Sequence, residues 1–232
     1  MITATEPKAR RAPPAGRATA ADPGEEHVLL TGIRWETYQA LLADLGDRPI
    51  HLTYDRGSLE IMTLSSAHET YKTLLGRFVE ILTLELRMPI RSAGSTTLDR
   101  KELQRGLESD ECYYIQNEAR VRGKLHIDLA VDPPPDLALE IDVSRSSMDR
   151  QAIYAALRVP ELWRFDGDAL HIYVLRPDGQ YERSEQSRCF PFLPMAEVER
   201  FLKQITTLDE TTLVGAFQDW VRQALVPIVK KA

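Results

Sequence analysis

Residues 136–143, DLALEIDV, alternate apolar and acidic side chains with a period of two. In an extended chain that period separates two faces. Leu137, Leu139, Ile141 and Val143 share one face and require a core behind it. Asp136, Ala138, Glu140 and Asp142 share the other. Neighbouring positions on one face of a strand lie about 6.6–7 Å apart. Like charges at that spacing repel unless a cation or basic side chains stand between them. Two arrangements relieve the repulsion. In one, the strand is central and its acids hold a divalent ion of the Mg²⁺ or Mn²⁺ type through hard oxygen ligands. In the other, the strand lies at an edge and its acidic face is in water.

The flanking sequence supplies the elements such a strand needs. Trp35, Tyr38, Leu41, Leu42 and Leu45 have helical spacing and stop at Gly46. HLTYDRGSLEIMTL reads as a hairpin turning at Arg56-Gly57. Tyr71, Leu74, Leu75, Phe78, Leu82 and Leu86 form one stripe of a long amphipathic helix. Short strands are expected at 95–99, 110–115 and 125–131. A short helix ending at Pro160 follows the acidic strand, then a β-meander with turns at Asp166-Gly167 and Asp178-Gly179. Two helices close the chain. This order predicts a mixed α/β domain around a central sheet.

Composition narrows the class. The chain has 232 residues, 43% hydrophobic and 28% charged, with a net charge of −6, as in an ordinary soluble domain. There is no apolar run long enough to span a bilayer. Cys112 and Cys189 are too few for a disulfide scaffold, which fits a reducing cytosol. Residues 1–26, rich in Ala, Pro and Arg, are expected to be a disordered tail ahead of a single domain at 27–232. Within the tail, residues 1–21 carry four bases (Lys8, Arg10, Arg11, Arg17) and one acid (Glu6), leaving −9 on the remainder. That balance argues against coating nucleic acid by charge alone. It allows an enzyme whose clustered carboxylates await a metal.

A second acidic group, Glu108, Asp110 and Glu111, precedes an expected strand. Alone it reads as turn chemistry. Taken with YDRGSLEIMTLSSAHE, GSTTLD, ESDECYYIQNEARVRGK, IDLAVDPPPDLALEIDVS and VPELWRFDG, however, it resembles the Uma family. These are bacterial proteins described as restriction endonucleases within the PD-(D/E)XK nuclease superfamily. The resemblance spans roughly 29–221 and implies a restriction-endonuclease-like α/β fold, a mixed central sheet flanked by helices. It also implies Mg²⁺-dependent hydrolysis of DNA.

On that resemblance Asp110 and Glu140 match the two motif acids and would hold the metal. Asp142, standing where the motif has its lysine, is instead a candidate third ligand that would support a second ion. Glu69 matches an additional acid at the start of the long helix. The motif lysine is absent: Asp142 stands two residues after Glu140, and residues 125–202 contain no lysine. Lys72, one turn from Glu69, and Arg150, in the helix after the acidic strand, are the substitutes. An arginine there can hold a phosphate but cannot deprotonate water at neutral pH. Cleavage of two strands would call for a homodimer. The missing lysine leaves a second class open: a nuclease-like fold that binds nucleic acid or protein without catalysis.

Several of these residues have plainer roles. Ser66-x-x-Glu69 is a capping box. His68 is a first-turn surface residue or a general base. His51, His126 and His171 lie in expected strands without partner spacing and read as structural. Tyr113, Tyr114, Trp163 and Phe165 fit core packing better than a base-stacking platform. Arg120, Arg122 and Lys124 form a small basic loop that serves a phosphate backbone or merely a turn. Arg158 stands at the end of the short helix, where a positive φ would carry a cost.

Overall fold

The computed structural model describes residues 24–46, 48–144 and 146–230. Most of the expected tail, 1–23, lies outside the described residues. Gly24–Glu26, which composition assigns to that tail, lie against the body. Among the described residues no helix is long and apolar enough to cross a membrane.

The strands divide between two sheets. The first is antiparallel and holds β1 (His27–Leu30), β2 (Ile50–Asp55), β3 (Ser58–Thr63), β5 (Thr97–Arg100) and β6 (Arg105–Glu108), in the order β1-β3-β2-β6-β5. The hairpin β2–β3 turns where expected, with Arg56 at φ 47° and Gly57 at φ 98°. A two-residue turn of this hand needs positive φ at both centres, which glycine meets without strain. The second sheet holds β4 (Arg91–Ser92), β7 (Glu111–Tyr114), β8 (Leu137–Ile141), β9 (Glu161–Phe165), β10 (Leu170–Leu175) and β11 (Tyr181–Ser184), in the order β11-β10-β9-β8-β7-β4.

The second sheet is the mixed one. Strand β8 runs parallel to β9 and antiparallel to β7. A parallel pair needs a crossover connection, here α4 (Arg150–Ala156). Strand β8 is thus interior, with all five residues buried, so the edge-strand alternative for its acidic face does not hold. Leu137, Leu139 and Ile141 pack under α2 (Ser66–Glu85), together with Phe201 of α5 (Met195–Leu202) and Phe217 of α6 (Glu210–Trp220). On the opposite face Ala138 joins Cys112, Ile153, Tyr154 and Leu157 beneath α4. A third cluster, Trp35, Tyr38, Leu52, Tyr54 and Leu59, seats α1 (Trp35–Leu45) on the first sheet.

Three local expectations are corrected. Beyond the short α3 (Glu118–Val121), residues 125–131 form turns rather than a strand. Leu125 is 92% exposed and Val131 77%, so their apolar alternation meets no partner sheet. Asp128 and Asp132 accept the local backbone N–H groups instead, which also places His126 outside any strand. The cap of α2 is Ser65, whose Oγ accepts the N–H of His68 at 3.1 Å. The capping box read at Ser66 and Glu69 is therefore one residue out of register. Last, α6 passes through a π-turn at Val221–Leu225 into α7 (Val226–Val229). Pro227 lacks the N–H that would continue the α-helical ladder, which accounts for the irregularity.

Candidate active site

The pairing of β7 with β8 sets Glu111 opposite Leu139 and Cys112 opposite Ala138. One step further along that register, Asp110 faces Glu140. The two acids therefore come together at one end of the interior strands. Asp110 Oδ2 accepts the N–H of Ile141 at 2.6 Å. Its Oδ1 lies 3.2 Å from Nδ1 of His51 and 3.1 Å from Nε2 of His68. These are ion-pair distances, but the approach angles leave all three atoms buried without a hydrogen bond. Burial alone would raise the Asp110 pKa. The two imidazoles against it outweigh burial and hold the carboxyl well below the usual range.

Glu140 is bound differently. Arg150, the first residue of α4, donates Nε to Oε2 and Nη2 to Oε1, both at 2.7 Å. The same guanidinium reaches Thr53 Oγ1 on β2 and the carbonyl of Glu108 at 2.8 Å. Tyr154 donates its hydroxyl to Glu140 Oε1. Burial and the nearby Asp110 push the Glu140 carboxyl upward against the pull of Arg150. Burial likewise works against the arginine charge, and Glu140 more than restores it. Bases thus relieve the repulsion expected along the acidic face. Asp142, just past β8, pairs with Arg164 of β9. Asp136 accepts the backbone N–H groups of Ile115 and Asn117, each at 2.8 Å, and is structural. A cavity of about 210 Å³ opens beside Glu140, Asp142, Arg150, Tyr154 and Arg164.

Glu69 and Lys72 bond to each other at 2.6 Å and line a second cavity of about 360 Å³ with Glu108 and His51, the neighbour of Asp110. Glu108 itself accepts the N–H of Leu52 at 2.7 Å. Glu111 lies on the other face of β7, below Gly76 of α2, where burial raises its carboxyl to about 7. Arg122 and Lys124 pair locally with Glu118 and Asp132. Tyr113, Tyr114, Trp163 and Phe165 are buried in the core, as their alternation implies.

Two residues at the site escape the sequence reading, and a third is read in part. His51 reads as a lone structural histidine, yet it abuts Asp110. Of the two readings of His68, the surface one does not hold, since the residue is fully buried. Tyr154 goes unmarked, although its position four residues after Arg150 puts both on one face of α4.

For a divalent ion, the buried and unbonded Asp110 Oδ1 is a fitting ligand. Glu140 becomes one only when Arg150 and Tyr154 release it, and Asp142 only when Arg164 does. Among the described residues no group of three His, Cys, Asp or Glu side chains is arranged ready to hold a metal ion. In comparisons with known proteins, a family model described as "Uma2: Putative restriction endonuclease" matches residues 35–223. No protein of curated function matches the chain.

Proposed function

Because the chain belongs to the Uma2 family of restriction-endonuclease-like proteins, we propose that it hydrolyses DNA phosphodiester bonds at the Asp110–Glu140 pair. The observation that carries this reading is the facing of the two acids across β7 and β8, where family resemblance sets the motif carboxylates. Asp110 and Glu140 would hold Mg²⁺ or Mn²⁺, and Asp142 would join them if Arg164 let go. Such an ion supplies Lewis-acid polarisation of a phosphate. Arg150 is the candidate phosphate ligand. Its planar fork already holds a carboxylate through two bonds and matches a phosphate equally well. Passing from Glu140 to the DNA, it would free that carboxylate at the moment substrate arrives. Lys72, held by Glu69, would be the candidate contact to the DNA backbone beside the reacting phosphate. Two-strand cleavage would be the work of a homodimer.

The test is nicking of supercoiled plasmid by the wild type, Asp110→Ala and Glu140→Ala in Mg²⁺ or Mn²⁺. We expect the wild type to nick, and each variant to fall by a factor of at least about a hundred, as for loss of a principal electrostatic group. Equal nicking by all three would sink the assignment.

A second reading has its own support. The two hydrogen bonds that Arg150 donates to Glu140, with that of Tyr154 added, already neutralise the carboxylate that a metal would need. On this reading the chain is a nuclease-like fold that binds nucleic acid or protein without cleaving. Calorimetric titration with Mn²⁺ separates the two: binding lost in Asp110→Ala favours the enzyme, and no binding in wild type favours the scaffold.

A further inference from the structure

Residues 24–30 precede the stretch covered by the family model, yet one side chain from them reaches the histidine that lies against Asp110. Glu25 has only 1% of its side chain exposed, and its Oε1 lies 2.8 Å from Nδ1 of the wholly buried His68. Its other oxygen accepts the Ser144 hydroxyl. Across the imidazole ring, Nε2 of His68 lies against Asp110 Oδ1. Asp110 Oδ2 is fixed by the N–H of Ile141, three residues before Ser144. The contacts form a closed circuit through Asp110, His68, Glu25 and Ser144, returning along the end of β8. From Ser144 a branch continues to His27 at 2.6 Å. His27 lies 3.5 Å from Glu60, which accepts the Ser146 hydroxyl at 2.6 Å and the Ser147 N–H at 2.7 Å in the loop before α4.

Which way an imidazole points is set by the bond its other nitrogen makes. Ionised carboxylates only accept hydrogen bonds. A proton on Nδ1 directed at Glu25 therefore fixes the ring plane and aims Nε2 at Asp110. We propose that Glu25, acting through His68, is a positioning residue for Asp110, so that the segment ahead of the family-matched region completes the site. The effect on turnover rests on Asp110 belonging to the reaction site; the orientation of His68 does not.

The experiment compares full-length wild type with Glu25→Ala and Glu25→Gln. Plasmid cleavage gives kcat and KM per folded molecule. Nitrogen-correlated proton NMR follows the His68 ring protons, assigned with His68→Gln. Glu25→Ala should lower kcat by about ten- to a hundredfold, the usual effect of removing the partner that orients a ligating or contacting histidine. KM for DNA should hold within about twofold, because Asp110 rather than the DNA contacts is disturbed. Glu25→Gln, whose amide oxygen still accepts from Nδ1, should recover much of the rate. A slowly exchanging Nδ1 proton should be present in wild type and Glu25→Gln and lost in Glu25→Ala. An unchanged ring proton in Glu25→Ala overturns the proposal whether or not the protein cleaves DNA. So does a loss of rate that only mirrors a smaller folded fraction. If the wild type cleaves nothing, the nuclease reading fails, and the ring proton still decides this one.

Discussion

A histidine wedged between two carboxylates does not titrate like a free imidazole. Burial works against the charged form of His68, but the carboxylates of Asp110 and Glu25 on either side of the ring prevail and lift its pKa from 6.5 to about 10. A pKa raised on folding contributes stability that is complete below the unfolded value and disappears as pH climbs through the folded one. The urea midpoint should therefore fall between about pH 7 and pH 10, and His68→Gln should flatten that decline. A wild-type midpoint constant over this interval would refute the bridge. Asp110 has the opposite sign: its depressed carboxyl stabilises above the ordinary carboxylate range and loses that effect in acid. Only part of this cluster was legible beforehand. The alternation at 136–143 marks Glu140 as facing away from the main core, and the family segments mark Asp110. Nothing local ties Glu25 or His51 to Asp110, because those partners meet only after the two sheets come together.

At the scale of elements, the legible ones have a strong period or a punctuating residue: α1, α2, the β2–β3 hairpin, β8 and the meander. Where the reading fails, as at 125–131, the pattern is right but no neighbouring strand receives it. The end of α4 illustrates a local exception to side-chain preference. Arg158 has φ 65°, and the N–H of Val159 returns to the carbonyl of Tyr154 at 3.1 Å. This is the closing geometry in which glycine is usual. A left-handed conformation costs an L-residue about 1–2 kcal/mol, while glycine's greater freedom when unfolded costs roughly 0.5–1 kcal/mol. Arg158→Gly should thus stabilise the fold by about 0.5–1 kcal/mol, seen as a higher denaturant midpoint with an unchanged slope. A lower midpoint would mean that the arginine makes a contact outweighing its strain; its Nη1 does lie close to Gly179.

For the whole molecule, charge and architecture set the terms of any encounter with DNA. The remainder beyond residue 21 carries −9, so general attraction to a polyanion is weak and must come from a few placed groups. Under the proposed reading, gel-shift affinity should rise in Mn²⁺ or in Ca²⁺ and collapse with a chelator. Retention of full affinity in chelator would favour binding through basic side chains alone. That the strands would part into two sheets was not legible, since periodicity reports which face is apolar and not which strands share a ladder. The consequence reaches into how the chain is made. Arg150 joins Glu140 ten residues behind it to Thr53, ninety-seven residues back, and to the carbonyl of Glu108. During synthesis, every ribosome-bound fragment that stops short of α4 lacks the rivet between the sheets. Such a fragment also leaves Glu140 without the arginine that balances its charge. The nascent protein therefore has no assembled centre until well over half its length has emerged.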